Sequence, residues 1–115
     1  MTNEQLDRAC AEAMGWKQCA ASGRWMVPGT PLEMNMPSEV PKFSTTIAAA
    51  WTLLDSLPHT LEIAVLRNGD GMAPKYQGKW RCLIEGAPDA GKRDHKTAPV
   101  AICLAFLAVK GLLHA

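Results

Sequence analysis

Residues 44–57, Ser44-Thr45-Thr46-Ile47-Ala48-Ala49-Ala50-Trp51-Thr52-Leu53-Leu54-Asp55-Ser56-Leu57, decide how the rest of the chain has to be arranged. Read at 3.6 residues per turn, Ile47, Ala50, Trp51 and Leu54 fall at i, i+3, i+4 and i+7, an apolar stripe with Leu57 close by. Ser44 is suited to N-cap this helix, and Pro58 to end it. The run of three alanines adds little bulk beside the stripe. A neighbouring backbone can therefore approach closely while Trp51 supplies most of the buried area.

At 115 residues, with 48% hydrophobic and 20% charged residues, the chain has the size and balance of one globular domain spanning 1–115. Twelve basic and eleven acidic residues leave a net charge of +1, which gives no electrostatic footprint for duplex nucleic acid. The cysteines at Cys10, Cys19, Cys82 and Cys103 form no Cys-x-x-Cys pair. Three of them, Cys10, Cys82 and Cys103, fall on core-facing positions, the pattern of reduced buried thiols. The polar start Thr2-Asn3-Glu4-Gln5 is unlike a signal peptide, and the apolar run 98–109 is shorter than the roughly 20 residues a membrane helix needs. The expectation is an intracellular, cytoplasmic protein with no membrane partner.

Working outward toward the N-terminus, Thr2 and Gln5 fit a capping box. Leu6, Ala9, Cys10, Ala13 and Met14 then form an amphipathic stripe that Gly15 ends as the residue after the C-cap. Residues 16–19 and 24–27 read as short strands joined through Ala20-Ala21-Ser22-Gly23. Residues 28–41 hold four prolines and no sustained period, so they read as a loop leading into the 44–57 helix.

Toward the C-terminus, Leu61, Ile63 and Val65 alternate with Glu62, Ala64 and Leu66, the period of a strand that ends at Arg67. Asn68-Gly69-Asp70-Gly71 signals a turn, and the next strand runs over 79–85 with Trp80, Cys82 and Ile84 on one face. Residues 86–96 read as a second loop. Thr97 then caps a last helix with Pro99 in its first turn. From Val100 to Val109 that helix is apolar all round, so it has to be covered on two sides or to pair with another subunit. A homo-oligomer is the expectation for a domain this small. The resulting order, α-β-β-α-β-β-α, implies an α+β fold with an antiparallel sheet flanked by helices.

Four stretches resemble a known family: Cys10-Ala11-Glu12-Ala13-Met14-Gly15-Trp16, Trp25 ahead of Pro28-Gly29, Phe43-Ser44-Thr45-Thr46-Ile47-Ala48-Ala49-Ala50-Trp51, and Thr97-Ala98-Pro99-Val100-Ala101-Ile102-Cys103. Together they are similar to the phage ABA sandwich domain of small phage and prophage proteins. The resemblance covers nearly the whole chain and implies a single α/β sandwich in a phage context. Its motifs are mostly structural. Thr46 stands where the resemblance leads one to expect an acid, so no anionic role is implied for the start of that helix.

The chemical motifs are few. Gly86-Ala87-Pro88-Asp89-Ala90-Gly91-Lys92 has the G-x-x-x-x-G-K spacing of a phosphate loop, which also needs a Ser or Thr next and a helix opening at the lysine. Here Arg93 follows, the helix begins only near Thr97, and Asp89 puts a negative charge inside the cradle. A milder reading keeps Lys92, Arg93, His95 and Lys96, with free amides near Thr97, as an anion-binding group. Arg67, Lys75 and Lys79 on the neighbouring hairpin would complete a basic rim, with Tyr76 for stacking, if both loops lie at one edge of the sheet. The plain alternative is a solvated charged loop.

Cys10, Cys19, His59, Cys82, His95, Cys103 and His114 lack the local pairs of a structural zinc site, so no metal or other cofactor is expected. Ser22, Ser38, Ser44 and Ser56 have no nucleophile-elbow context, and Glu62, Glu85, Asp70 and Asp89 are not paired. Trp51 and Trp80 fall on expected core faces and Trp16 opens a strand, which leaves Trp25 as the tryptophan open to a ligand.

These readings point to a non-enzymatic binding protein whose ligand set is Trp25, Arg67, Lys75, Tyr76, Lys79, Lys92, Arg93, His95, Lys96 and Thr97. The sharper expectation is counter-defence, by sequestering a host immune component or a small anionic nucleotide signal. The alternative is a structural module that docks onto a protein through its apolar last helix.

Overall fold

The computed structural model describes residues 2–29, 36–58, 61–69, 77–84 and 92–112. Helix α1 (Asn3–Ala13) opens on the expected capping box: Gln5 donates its amide to Thr2 Oγ1 (3.1 Å), and Thr2 donates its own to Gln5 Oε1 (2.9 Å). It ends where Gly15 takes φ +96°, a left-handed geometry that glycine adopts without strain. Leu6 and Cys10 are buried, and Ala9, Ala13 and Met14 pack partly buried against the core. Strands β1 (Lys17–Gln18) and β2 (Trp25–Met26) form a hairpin of only two residues a side.

The helix at the centre of the sequence, α2 (Ile47–Asp55), starts two residues later than Ser44 would have it, with Thr46 in the cap position and no side-chain cap bond. Ser44 is instead captured by tertiary contacts. Its amide donates to Asp7 Oδ1 (2.7 Å), and its hydroxyl donates to the Asn3 carbonyl (3.3 Å). The buried face also differs from the expected stripe. Ala50, Leu53, Leu54 and Leu57 are buried, whereas Ile47 is 50% exposed and Trp51 48%. Both stripes have the i, i+3, i+4, i+7 spacing and share Ala50 and Leu54, so periodicity alone does not separate them. They differ by three residues, a rotation of about 60° at 3.6 residues per turn.

Strands β3 (Ile63–Arg67), β4 (Trp80–Ile84) and β5 (Lys92–His95) make an antiparallel sheet in that order. Its register pairs Arg67 with Trp80 and Trp80 with His95 at one end, and Ala64 with Leu83 and Leu83 with Lys92 toward the other. As expected, Cys82 and Ile84 are buried, with Trp80 half-buried on the same face. β5 corrects the reading of 86–96 as one loop. Lys-Arg-Asp-His carries no apolar alternation, so period-2 analysis passes over it, yet charged residues are what a sheet edge tolerates. The rest of the element order agrees with the sequence reading.

Helix α3 (Ala98–Val109) is the true centre of the fold. It packs on α1, α2, β4 and β5, and eight of its residues, including Ile102, Phe106 and Leu107, are buried inside one chain. Its all-round apolarity is therefore satisfied internally. This corrects the idea that α3 is a docking face for another protein, and it removes the reason for expecting a subunit partner there. The architecture is a mixed α/β domain of three helices and two small antiparallel sheets.

Candidate functional site

The sheet register collects part of the expected basic rim at one corner. Arg67, Trp80 and His95 lie in a row across the three strands, Lys79 precedes β4, and Lys96 and Thr97 follow β5 into α3. The β3–β4 connection is held there by Asn68, which donates its amide to the Lys79 carbonyl (2.8 Å) and accepts from the Gly78 amide (3.0 Å). Lys79 and His95 are half-buried; Arg67, Lys96 and Thr97 are exposed. Arg67 stands two inter-strand spacings from His95, about 10 Å.

The cations of the corner act on the histidine between them. The His95 ring is held below its ordinary value of 6.5, first by burial and then by repulsion from Lys96 and Lys79. Its Nδ1 is buried with no hydrogen-bond partner among the described residues, which disfavours a second proton further. A depressed histidine stabilises the fold above the ordinary value. That contribution is lost as pH falls through the lowered value. Lys79→Gln and Lys96→Gln are each expected to raise the His95 titration midpoint, followed by NMR on its ring Cε1–H, while burial keeps it below 6.5. A midpoint unmoved by both changes would show that the ring does not sense the two lysines.

Other members of the expected set are placed elsewhere. Lys92 and Arg93 belong to β5, with Lys92 opposite Leu83, three residues from His95 and so about 10 Å along the strand. Lys92 opens a strand, whereas a phosphate-loop lysine opens a helix. Lys75 and Tyr76 lie outside the described residues, as do Gly86 to Gly91 of that motif, Asp70, Glu85, His59 and His114.

Trp25 is not part of the corner. It is 3% exposed, and its ring carries the Arg8 guanidinium at 5.8 Å from the ring centroid, a cation–π contact. Together with Asp7, Glu39, Lys42 and Thr45 these two residues line a cleft of about 430 Å³ between α1 and the segment leading to α2. Trp25 donates its amide to the Pro37 carbonyl (2.9 Å), which brings that segment onto the hairpin. Sequence reasoning missed this cleft. Its residues are scattered over three separate stretches, 3–8, Trp25 and 38–45, and the aperiodic proline-rich loop hides where its second half returns.

The thiols divide by environment. Burial pushes Cys82 up to about 11, and the neighbouring Cys10 thiol together with burial pushes Cys103 up. Cys19 is lowered, because the Ser22 amide and hydroxyl and the Ala21 amide are directed at its sulfur in the β1–β2 turn. All four are free thiols. Among the described residues no helix is long and apolar enough to cross a membrane.

A small mixed α/β domain with a central buried helix, a charged corner and a polar cleft is the class of protein these observations define. More particularly, the chain belongs to the phage ABA sandwich domain family, whose model matches residues 10–107. The four stretches whose resemblance suggested it fall, within that match, on the end of α1, on β2, on the turn into α2 and on the start of α3. No curated protein and no solved structure matches the chain.

Proposed function

We propose that this protein is a non-enzymatic accessory protein of a phage or prophage that acts in the cytoplasm of the bacterial host by binding a small anionic ligand. The ligand class is a linear or cyclic nucleotide, and sequestering such a signal is the counter-defence role the phage context suggests. The observation that carries this reading is the corner where Lys79, His95 and Lys96 meet the start of α3, with two lysines close enough to repel a proton from the histidine. Lysines there can make charge-assisted contacts to an anion. The sandwich arrangement of layers belongs to the same proposal, with α3 covering one face of the sheet.

Isothermal calorimetry of the wild-type chain against linear and cyclic nucleotides is the test. Binding is expected for at least one, and Lys79→Gln and Lys96→Gln should each weaken it by about tenfold, the loss of one charge-assisted contact. Absence of heat with every nucleotide sinks the reading. A second reading, an interaction module with inert loops, is favoured by the exposed Ile47 and Trp51 on α2. It predicts that replacing Lys92, Arg93 and Lys96 together leaves the biological activity intact.

A further inference from the structure

The three-stranded sheet has two edges of opposite character. β5 has the sequence Lys92-Arg93-Asp94-His95, a composition that resists pairing with another strand. β3 presents Ile63, Ala64, Val65 and Leu66 in succession, with no proline, charge or bulge among them. No described strand pairs with its outer side. Because Asn68 donates to the Lys79 carbonyl of the adjoining strand, antiparallel alternation turns Leu66 and Ala64 toward β4 as well. The N–H and C=O groups of Ile63, Val65 and Arg67 therefore face the open edge.

We propose that this edge is the interface with a second copy of the chain, two β3 strands pairing antiparallel about a two-fold axis at Val65. In that register Val65 lies opposite Val65 of the second copy and Ile63 opposite its Arg67, so each outward group finds a partner in about six hydrogen bonds. The neighbouring register, centred on Ala64, would enlist Leu61, whose amide is already donated to the Pro58 carbonyl (3.1 Å). On the outer face, Leu66, 38% exposed in one chain, comes to lie against Ala64 of the second.

Charge selects the same occupant. Beside Ile63 is a groove of about 200 Å³ whose walls include Trp51, Leu54 and Leu61, and Asp55 is the one charged residue among the described residues that line it. The antiparallel pair delivers an exposed arginine, Arg67 of the second copy, opposite Ile63 and hence to this groove. There its guanidinium meets the half-exposed Trp51 ring and the Asp55 carboxylate, and symmetry repeats the contact at the other end. Arg67 stands at the end of the sheet that also carries the ligand reading, but the interface uses none of Lys79, His95 and Lys96, on which that reading rests.

Sedimentation equilibrium of the wild-type chain over micromolar to millimolar concentrations should show a monomer–dimer equilibrium. Arg67→Glu should raise its dissociation constant by about tenfold or more, and adding Asp55→Arg to that variant should restore most of the loss. Hydrogen exchange gives a second readout. The Ile63 and Val65 amides should gain protection as concentration rises, while the Ala64 and Leu66 amides, bonded to β4, stay protected at every concentration and report that the fold is intact. A chain that remains monomeric at millimolar concentration overturns the proposal, as does a dimer indifferent to Arg67→Glu. Exchange at Ile63 and Val65 that does not depend on concentration overturns it too. All of these measurements are made without nucleotide, and the calorimetric test of ligand binding uses Lys79→Gln and Lys96→Gln, so the two proposals fail separately.

Discussion

Phe106→Ala is expected to lower the unfolding free energy by about 3–5 kcal/mol, the range for removing a fully buried aromatic ring without refilling its space. The ring sits in the middle of α3 with no exposed surface, among buried residues drawn from all three helices and from β4. Neighbours fixed by their own helices and strands cannot collapse into the gap, so a cavity term adds to the lost transfer energy. A domain of this size is stable by only about 5–15 kcal/mol, and a loss of this magnitude removes a large share of it. Urea denaturation followed by circular dichroism should show a much lower midpoint with an unchanged slope. Ile47→Ala, on the open face of α2, should stay within about 0.5 kcal/mol when measured at high dilution. A loss below about 1 kcal/mol for Phe106→Ala would mean that α3 is not enclosed as described.

The second large effect belongs to Asp7. Its Oδ1 accepts the amide of Ser44 at 2.7 Å, and Ser44 is buried, so Asp7→Ala leaves a buried donor unsatisfied between α1 and the turn into α2. A hydrogen bond to a charged group is worth about 1.5–3 kcal/mol, and a loss in that range is expected in the same urea experiment. Asp7→Asn should lose less, because its amide oxygen still accepts from Ser44. The pair therefore separates the hydrogen bond from the charge. Equal losses for the two variants would show that the carboxylate acts through something other than this bond. Asp7 also lines the cleft beside Trp25, so Asp7→Ala loosens the wall of that cleft as well as the helix contact.

Most of the local chemistry was legible in the sequence, the Ser44 cap being the exception. The capping box at Thr2 and Gln5, the stop at Gly15, the turn before Trp25, the end of α2 before Pro58 and the Pro99 start of α3 each depend on a few consecutive residues. The Trp80, Cys82, Ile84 face was readable for the same reason, since alternate residues of a strand share a face whatever lies beyond it. Family membership was legible too, because its landmarks are these local helix ends and turns.

The candidate site was legible only in part. Lys79, His95 and Lys96 could be named from their loops, but their meeting depends on the Trp80–His95 pairing, a contact between strands that no short stretch specifies. Trp25 was read as open to a ligand beside the basic loops, whereas it is buried in a different place, with Arg8 and Lys42 from distant parts of the chain on the same cleft.

By itself, then, the amino-acid order determined the three helices, the strands other than β5 and where most of them stop, since caps, glycines, prolines and periodicity act within a turn or two. Tertiary structure decided which side of α2 faces inward, because the two candidate stripes are equally periodic and only the position of α3 breaks the tie. It also decided the role of Ser44, which lost its place as a cap to a carboxylate 37 residues away. The stretch 44–57 thus supports the fold, while α3, whose apolarity looked like a surface in search of a partner, is the core on which everything else is packed.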